Sequence, residues 1–311
     1  MWIYIVLGVV GALILFYILP TLLISNRIYS VLLVRKNKDK WGRSVSWDND
    51  EQREMFKQGA LFEEENKQYD KKISIVSDGF KLIGEYYDFG YNKTVIIIPG
   101  RMESGTYSLY FAPPYKKAGY NILAIDNRCH GESEGRYNCI GLKEYKDILA
   151  WSRLLHDEYK INNIIIHGIC IGSATALYSL IDKECGEYVK GMVADGMYAD
   201  FGESLKNHLI ERKKPIFPYN DEIMMMITLV AKKSPIKYGP IKVIDKLNKP
   251  ILFLYSKEDI YSTKPQADAL FDACKSDKKI VWFDKGVHSH IRINNMDKYD
   301  EAIKEFVKDN F

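Results

Sequence analysis

The sequence contains no C-x-x-C pair, no long block of one-signed charge, no internal repeat, and no charged residue in its first 25 positions. Each absence excludes something. Five scattered cysteines, Cys129, Cys139, Cys170, Cys185 and Cys274, cannot all pair with one another. Their spacing offers neither a disulfide framework nor a zinc-ligand set, and an odd, dispersed number fits a reducing compartment. The 44 basic and 41 acidic residues, formal net charge +3, are spread along the chain. No electrostatic footprint for nucleic acid results. With 47% hydrophobic and 27% charged residues, there is material for a large core and a solvated surface, so intrinsic disorder is excluded as well.

The uncharged start, "MWIYIVLGVVGALILFYILPTLLIS", is long enough to cross a bilayer, since about 20 residues at ~1.5 Å each span the ~30 Å hydrocarbon core. It lacks the basic n-region and the A-x-A-like cleavage site of a signal peptide, so residues 1–25 are expected to stay as a single transmembrane anchor. Pro20 should kink or end that helix, because proline removes a backbone donor. Arg27, Arg35, Lys36, Lys38 and Lys40 follow closely, and the positive-inside rule then places the remainder on the cytoplasmic side. The thiol usage points the same way. Residues 26–70 read as a basic juxtamembrane segment and a charged, partly helical linker.

From about residue 71 strand-like and helix-like segments alternate. "KISIV" and "FKLIGEYYDFG" flank Ser77-Asp78-Gly79, a hairpin signal. Next come "TVIIIPG", a helical stretch over 105–118, "YNILAID", the amphipathic "LKEYKDILAWSRLL", "NIIIHGI", a helix from Ile171, and "VKGMVADGM". The rhythm breaks at 201–248, a helical and loop-like stretch with four prolines, and resumes with "PILFLYS", a helix, "KIVWFD" and a closing helix "KYDEAIKEFV". Short continuous apolar strands separated by helices predict an α/β fold, a doubly wound, mainly parallel sheet with an inserted helical cap at about 201–248.

In such a sheet reactive groups collect at the carboxyl ends of the strands. Three such ends carry candidates. "IIIHGICIGSATAL" places Cys170 between a strand and a helix, bracketed by Gly168 and Gly172, in the strand-turn-helix shape of G-x-S-x-G with cysteine at its centre. The N-terminus of the following helix would favour a thiolate. Asp259 follows "PILFLYS" and His288 follows "KIVWFD". Nucleophile, acid, base is the chain order of the α/β-hydrolase triad, with His288 as base and Asp259 fixing its tautomer. The oxyanion donors are expected to be the backbone N–H groups of Arg101, after "TVIIIPG", and Ile171, with Met102 as the alternative to Arg101.

Residues 71–311 thus resemble the α/β-hydrolase superfamily, and within it the membrane-anchored bacterial esterase-like members related to the serine aminopeptidase and monoacylglycerol lipase group. "AIDNRCHGESEG" matches that family's D-x-R-x-H-G-x-S-x-G loop, and "GLKEYKDILAW" the helix after it. The sequence departs from the pattern at two positions: Cys170 stands for serine, and Pro99 for the histidine of the H-G oxyanion motif. The resemblance implies hydrolysis of an ester, thioester or amide through a thioacyl-enzyme, with acyl transfer by the same triad or an inactive binding module as alternatives. It implies a small-molecule or lipid-derived acyl substrate, no metal or organic cofactor, and attachment to the membrane through the N-terminal helix.

Competing residues are few. Ser173 is expected to face the first turn of the helix. His290 competes with His288, whose Gly286-Val287-His288 context fits the family turn better, and Asp195, at another strand end, competes with Asp259. His130 is expected to support the loop beneath the site. In the cap, Met224, Met225 and Met226 divide between packing and an acyl pocket.

Overall fold

The computed structural model describes residues 1–36 and 49–311. Lys38 and Lys40, and residues 41–48 of the expected linker, lie outside the described residues. Among the described residues eight strands form one sheet: β1 (Asp70–Ser77), β2 (Phe80–Tyr87), β3 (Lys93–Ile98), β4 (Asn121–Ile125), β5 (Asn163–Ile169), β6 (Val189–Asp195), β7 (Ile251–Ser256) and β8 (Lys278–Phe283). Their order is β1-β2-β4-β3-β5-β6-β7-β8. β2 pairs antiparallel with both β1 and β4, and all later pairings are parallel. The β1–β2 turn is the tight Asp78-Gly79 pair, both at positive φ, which matches the right-handed twist of a hairpin.

The central strands are buried along almost their whole length, as "VIII", "NIIIHGI" and "ILFLYS" require when helices cover both faces. One apolar cluster centres on Ile96, Ile98, Leu123, Trp151, Ile164, Ile166 and Leu177, and the other on Val95, Ile97, Ile122, Ile165, Phe283 and Tyr299. The helices that bear on function are α1 (Trp2–Leu33), α2 (Asp50–Glu65), α3 (Tyr145–Asp157), α4 (Ile171–Leu180), α5 (Phe201–Glu211), α6 (Tyr219–Ala231), α7 (Lys264–Ala273) and α8 (Met296–Asn310). The helical stretch expected at 105–118 is two short turns, Gly105–Leu109 and Pro113–Lys117, because Pro113 and Pro114 interrupt it.

Two expectations change. α1 runs through Pro20 to Leu33 without ending, and its second half is part of the folded body: Thr21, Ser25, Tyr29, Leu32 and Leu33 are buried, against α6. The expected linker is also structured from Asp50. α2 lays Met55, Gly59 and Phe62 against the sheet's helical layer, and a Cβ at Gly59 would lie 2.1 Å from the Thr106 carbonyl oxygen. Spacing of i, i+4, i+7 puts these three on one face, and burying that face outweighs the charge of the remainder. The folded body therefore takes in residues ahead of 71.

Between β6 and β7 the chain leaves the sheet as α5, α6 and a series of short turns, the interruption expected at 201–248. Met224 is buried with Ile223 and Ile227 in the core, whereas Met225 is exposed, so the methionine run divides by helix face.

Candidate active site

β5 ends at Ile169 and α4 begins at Ile171, so Cys170 alone makes the turn, at φ 55° and ψ −115°. A non-glycine residue there is strained, and the strain is held by close packing on both sides. A Cβ on Gly168 would come within 2.4 Å of the Gly172 backbone, and one on Gly172 within 2.5 Å of the Ile98 carbonyl oxygen. Both positions admit only glycine. The Cys170 N–H donates to the Asp195 carbonyl oxygen (2.8 Å), which fixes the turn to β6. Ser173 is fully buried, and its hydroxyl is committed to the carbonyl oxygens of Gly168 (2.6 Å) and Asp195 (3.0 Å). It clasps the elbow and is unavailable as a nucleophile.

Asp259 and His288, 29 residues apart, meet above the carboxyl edge of the sheet. His288 Nδ1 lies 2.6 Å from Asp259 Oδ2, and the other carboxylate oxygen accepts the N–H groups of Tyr261 (2.8 Å) and Ser262 (2.9 Å). With Nδ1 bonded to the carboxylate, Nε2 is the nitrogen left for Cys170, which interacts electrostatically with the imidazole. Burial alone would lift the Asp259 carboxyl, but His288 and the two N–H groups outweigh it and hold the carboxyl below its ordinary value. Burial would lower His288, yet Asp259 and Cys170 together push it well above the ordinary imidazole value. The site thus favours the charged imidazolium.

The competing residues are engaged elsewhere. His290 Nδ1 pairs with Glu51 of α2 (2.8 Å). Asp195 accepts the Tyr299 hydroxyl (2.6 Å), and its buried carboxyl is pushed up to about 7 by desolvation first of all. Tyr299 and Tyr115 hydroxyls also lie 3.2 and 3.1 Å from the two nitrogens of His167, whose burial lowers it to about 3. This buried network supports the sheet beneath the elbow.

In the loop after β3, the Met102 N–H donates to His130 Nε2 (3.0 Å), and His130 Nδ1 bonds the Arg128 carbonyl oxygen (2.9 Å). Burial lowers His130 to about 4, so it is the neutral acceptor that this geometry needs. Met102 is thereby removed as an oxyanion donor. Glu103 closes the same loop by accepting the Gly100 N–H (2.8 Å). Arg128 is itself held by a buried ion pair with Asp147 of α3, Nη2 to Oδ1 2.5 Å and Nε to Oδ2 2.7 Å.

Three side chains escaped the sequence reading. The Arg101 guanidinium, considered only for its backbone N–H, interacts electrostatically with Cys170. Tyr261 sets its ring edge against His288 (centroids 5.4 Å), and His208 of α5 stacks on Tyr261 (3.8 Å). Position two residues after Asp259 was the only sequence signal for Tyr261, and none pointed to His208. Among the described residues no cluster of His, Cys, Asp or Glu has the arrangement of a metal site.

This fold recurs in known proteins. A family model described as the alpha/beta hydrolase fold matches residues 93–225. The chain has the α/β-hydrolase fold. The matched stretch runs from β3 into the cap, so it contains the elbow but neither Asp259 nor His288. Among curated relatives, the uncharacterized protein YqkD of Bacillus subtilis is 28% identical over 217 residues, 69% of this chain and 71% of its own. Protein bem46 of Schizosaccharomyces pombe is 24% identical over 197 residues, 63% of this chain and 60% of its own length. Among solved structures, an esterase of Pyrococcus furiosus superposes with a TM-score of 0.67 at 23% identity, over 79% of this chain and 93% of that one. An alpha-beta hydrolase of Vibrio vulnificus does so with a TM-score of 0.64 at 19% identity, over 91% and 93%. At these identities the superpositions establish the fold.

Proposed function

We propose that the protein is a membrane-anchored hydrolase that cleaves an ester, thioester or amide through Cys170, His288 and Asp259 by way of a thioacyl-enzyme. The observation that carries this reading is the His288 imidazole held between the Asp259 carboxylate and the Cys170 thiol, on an elbow whose glycines admit no side chain. An inert buried cysteine needs none of these partners.

Cys170 Sγ, as thiolate, attacks the substrate carbonyl carbon, and the new C–S bond pushes an electron pair onto the oxygen. The N–H groups of Ile171 and Arg101 are the proposed donors to that oxyanion, with the positive end of α4 behind the first of them. Collapse breaks the bond to the leaving group, which takes the proton from His288 Nε2. Water then attacks the thioester, passing a proton back to His288, and the C–S bond breaks to release the acid and the thiolate. The uncharged stretch of α1 supports membrane attachment. The cations after it, with five free thiols, favour a cytoplasmic catalytic domain.

Intact-mass measurement on the full chain in detergent, after exposure to p-nitrophenyl butyrate, tests the reading. One acyl adduct is expected on the natural protein and none on Cys170→Ala, while His288→Ala should acylate about 10²–10⁴-fold more slowly. Equal labelling of Cys170→Ala, or no adduct from a panel of acyl donors, would leave a binding module instead.

A further inference from the structure

α1 and α6 lie side by side and run in the same direction. Near the start of α6 and past the middle of α1, Thr21 and Ser25 donate to the two carboxylate oxygens of Glu222, at 2.8 and 2.6 Å. Near their ends, Val230 lines a hollow with Tyr137, and Tyr137 bridges to Val34, the residue after α1. The chain entering α6 is therefore level with the part of α1 just before Thr21, the uncharged and fully exposed stretch. That entering chain is residues 210–218, "IERKKPIFP". Its three cations, Arg212, Lys213 and Lys214, are exposed, and so are Ile210 (57%), Ile216 (38%) and Phe217 (70%).

A large aromatic side chain left mostly in water beside three cations has the composition of a segment that sits in a bilayer interface. Apolar groups enter the acyl boundary while Lys and Arg meet anionic head groups. We propose that residues 210–218 are a second membrane contact, seated on the anionic surface of the bilayer that α1 enters. The inference rests on the reading of α1 as an anchor. Position and charge both select this occupant: the segment lies beside the exit of α1, and its cations complement acidic lipid.

The contact continues directly into the site. Residues 210–218 begin in the last turn of α5, whose Asn207 donates to the Ile260 carbonyl oxygen (2.6 Å) and whose Glu211 accepts the Tyr261 hydroxyl. His208 stacks on Tyr261, which abuts His288. The helix roofing the catalytic histidine thus ends at the lipid surface, and a substrate leaving that leaflet meets the cap first.

Limited trypsinolysis of the full chain tests this, since the bonds after Arg212 and Lys213 are exposed and cleavable. In nanodiscs of 70:30 phosphatidylcholine to phosphatidylglycerol, cleavage at these two bonds should slow by about tenfold or more relative to detergent. Phosphatidylcholine discs should protect less, and the double variant Ile216→Ser, Phe217→Ser should be cut within about twofold of the detergent rate. Equal cleavage in detergent and in anionic discs, with the chain incorporated, overturns the contact and leaves the anchor standing. Full protection of the double variant overturns it too. A chain recovered outside the discs overturns the anchor reading itself.

Discussion

The His288 imidazole is pulled in opposite directions by its surroundings. Burial favours the neutral ring, while Asp259 and Cys170 favour the cation and prevail. The sign follows directly: a raised value means that the ring keeps its proton as pH rises past the ordinary range for histidine, and Asp259→Asn removes the first of the charges that hold it. In the natural protein the ¹⁵N imidazole shifts should report His288 as imidazolium at pH 7.5. In Asp259→Asn burial is less opposed, and His288 should be neutral at the same pH. An unchanged His288 signal in the variant would mean that the carboxylate does not set its charge. At this scale the candidates Cys170, Asp259 and His288 were readable because each follows a strand in the expected order. The guanidinium of Arg101 was not, since nothing local says where a long side chain folds back.

The β5–α4 connection works only because two elements approach closer than a methyl group allows. Gly172 lets α4 press on the end of β3, and a Cβ there would meet two carbonyl oxygens, of Ile98 at 2.5 Å and of Pro99 at 3.0 Å. Gly172→Ala is expected to cost about 1–3 kcal/mol in stability, by the usual penalty of overpacking, and to slow acylation by turning Cys170 away from His288. Chemical denaturation and the acylation rate measure both. Gly8→Ala, with nothing within 4 Å, is the matched control and should leave both unchanged. The pattern of this element was plain in the sequence, because glycines two positions either side of one residue, after a β-branched run, have few other uses. α2 was less legible: its short apolar stripe is marginal alone and becomes a helix face only when the turn at Thr106 is there to receive it.

Across the whole molecule, the N-terminal helix and the cap form one unit. The Glu222 carboxylate joins Thr21 and Ser25 over separations of 201 and 197 residues, and Arg35 reaches from the residues after α1 to the carbonyl oxygens of Ser133 (2.8 Å) and Gly131 (2.6 Å). Hydrogen bonds to a charged acceptor contribute about 1.5–3 kcal/mol each, so Thr21→Val with Ser25→Ala should loosen α6. Hydrogen exchange of the α6 amides should accelerate by about tenfold or more while β5 is unaffected; equal exchange in both proteins would mean that the cap stands without the anchor. The apolar start, the alternation of strand and helix, the elbow and the order of the triad are written in local pattern, because hydrophobic period, glycine placement and charge act on near neighbours. Which histidine faces the thiol, which carboxylate holds it, that His290 turns to Glu51, and that the N-terminal helix clasps the cap were decided only by the tertiary structure. These depend on contacts between distant residues, and their free energy arises when burial brings the partners together and removes the competing water.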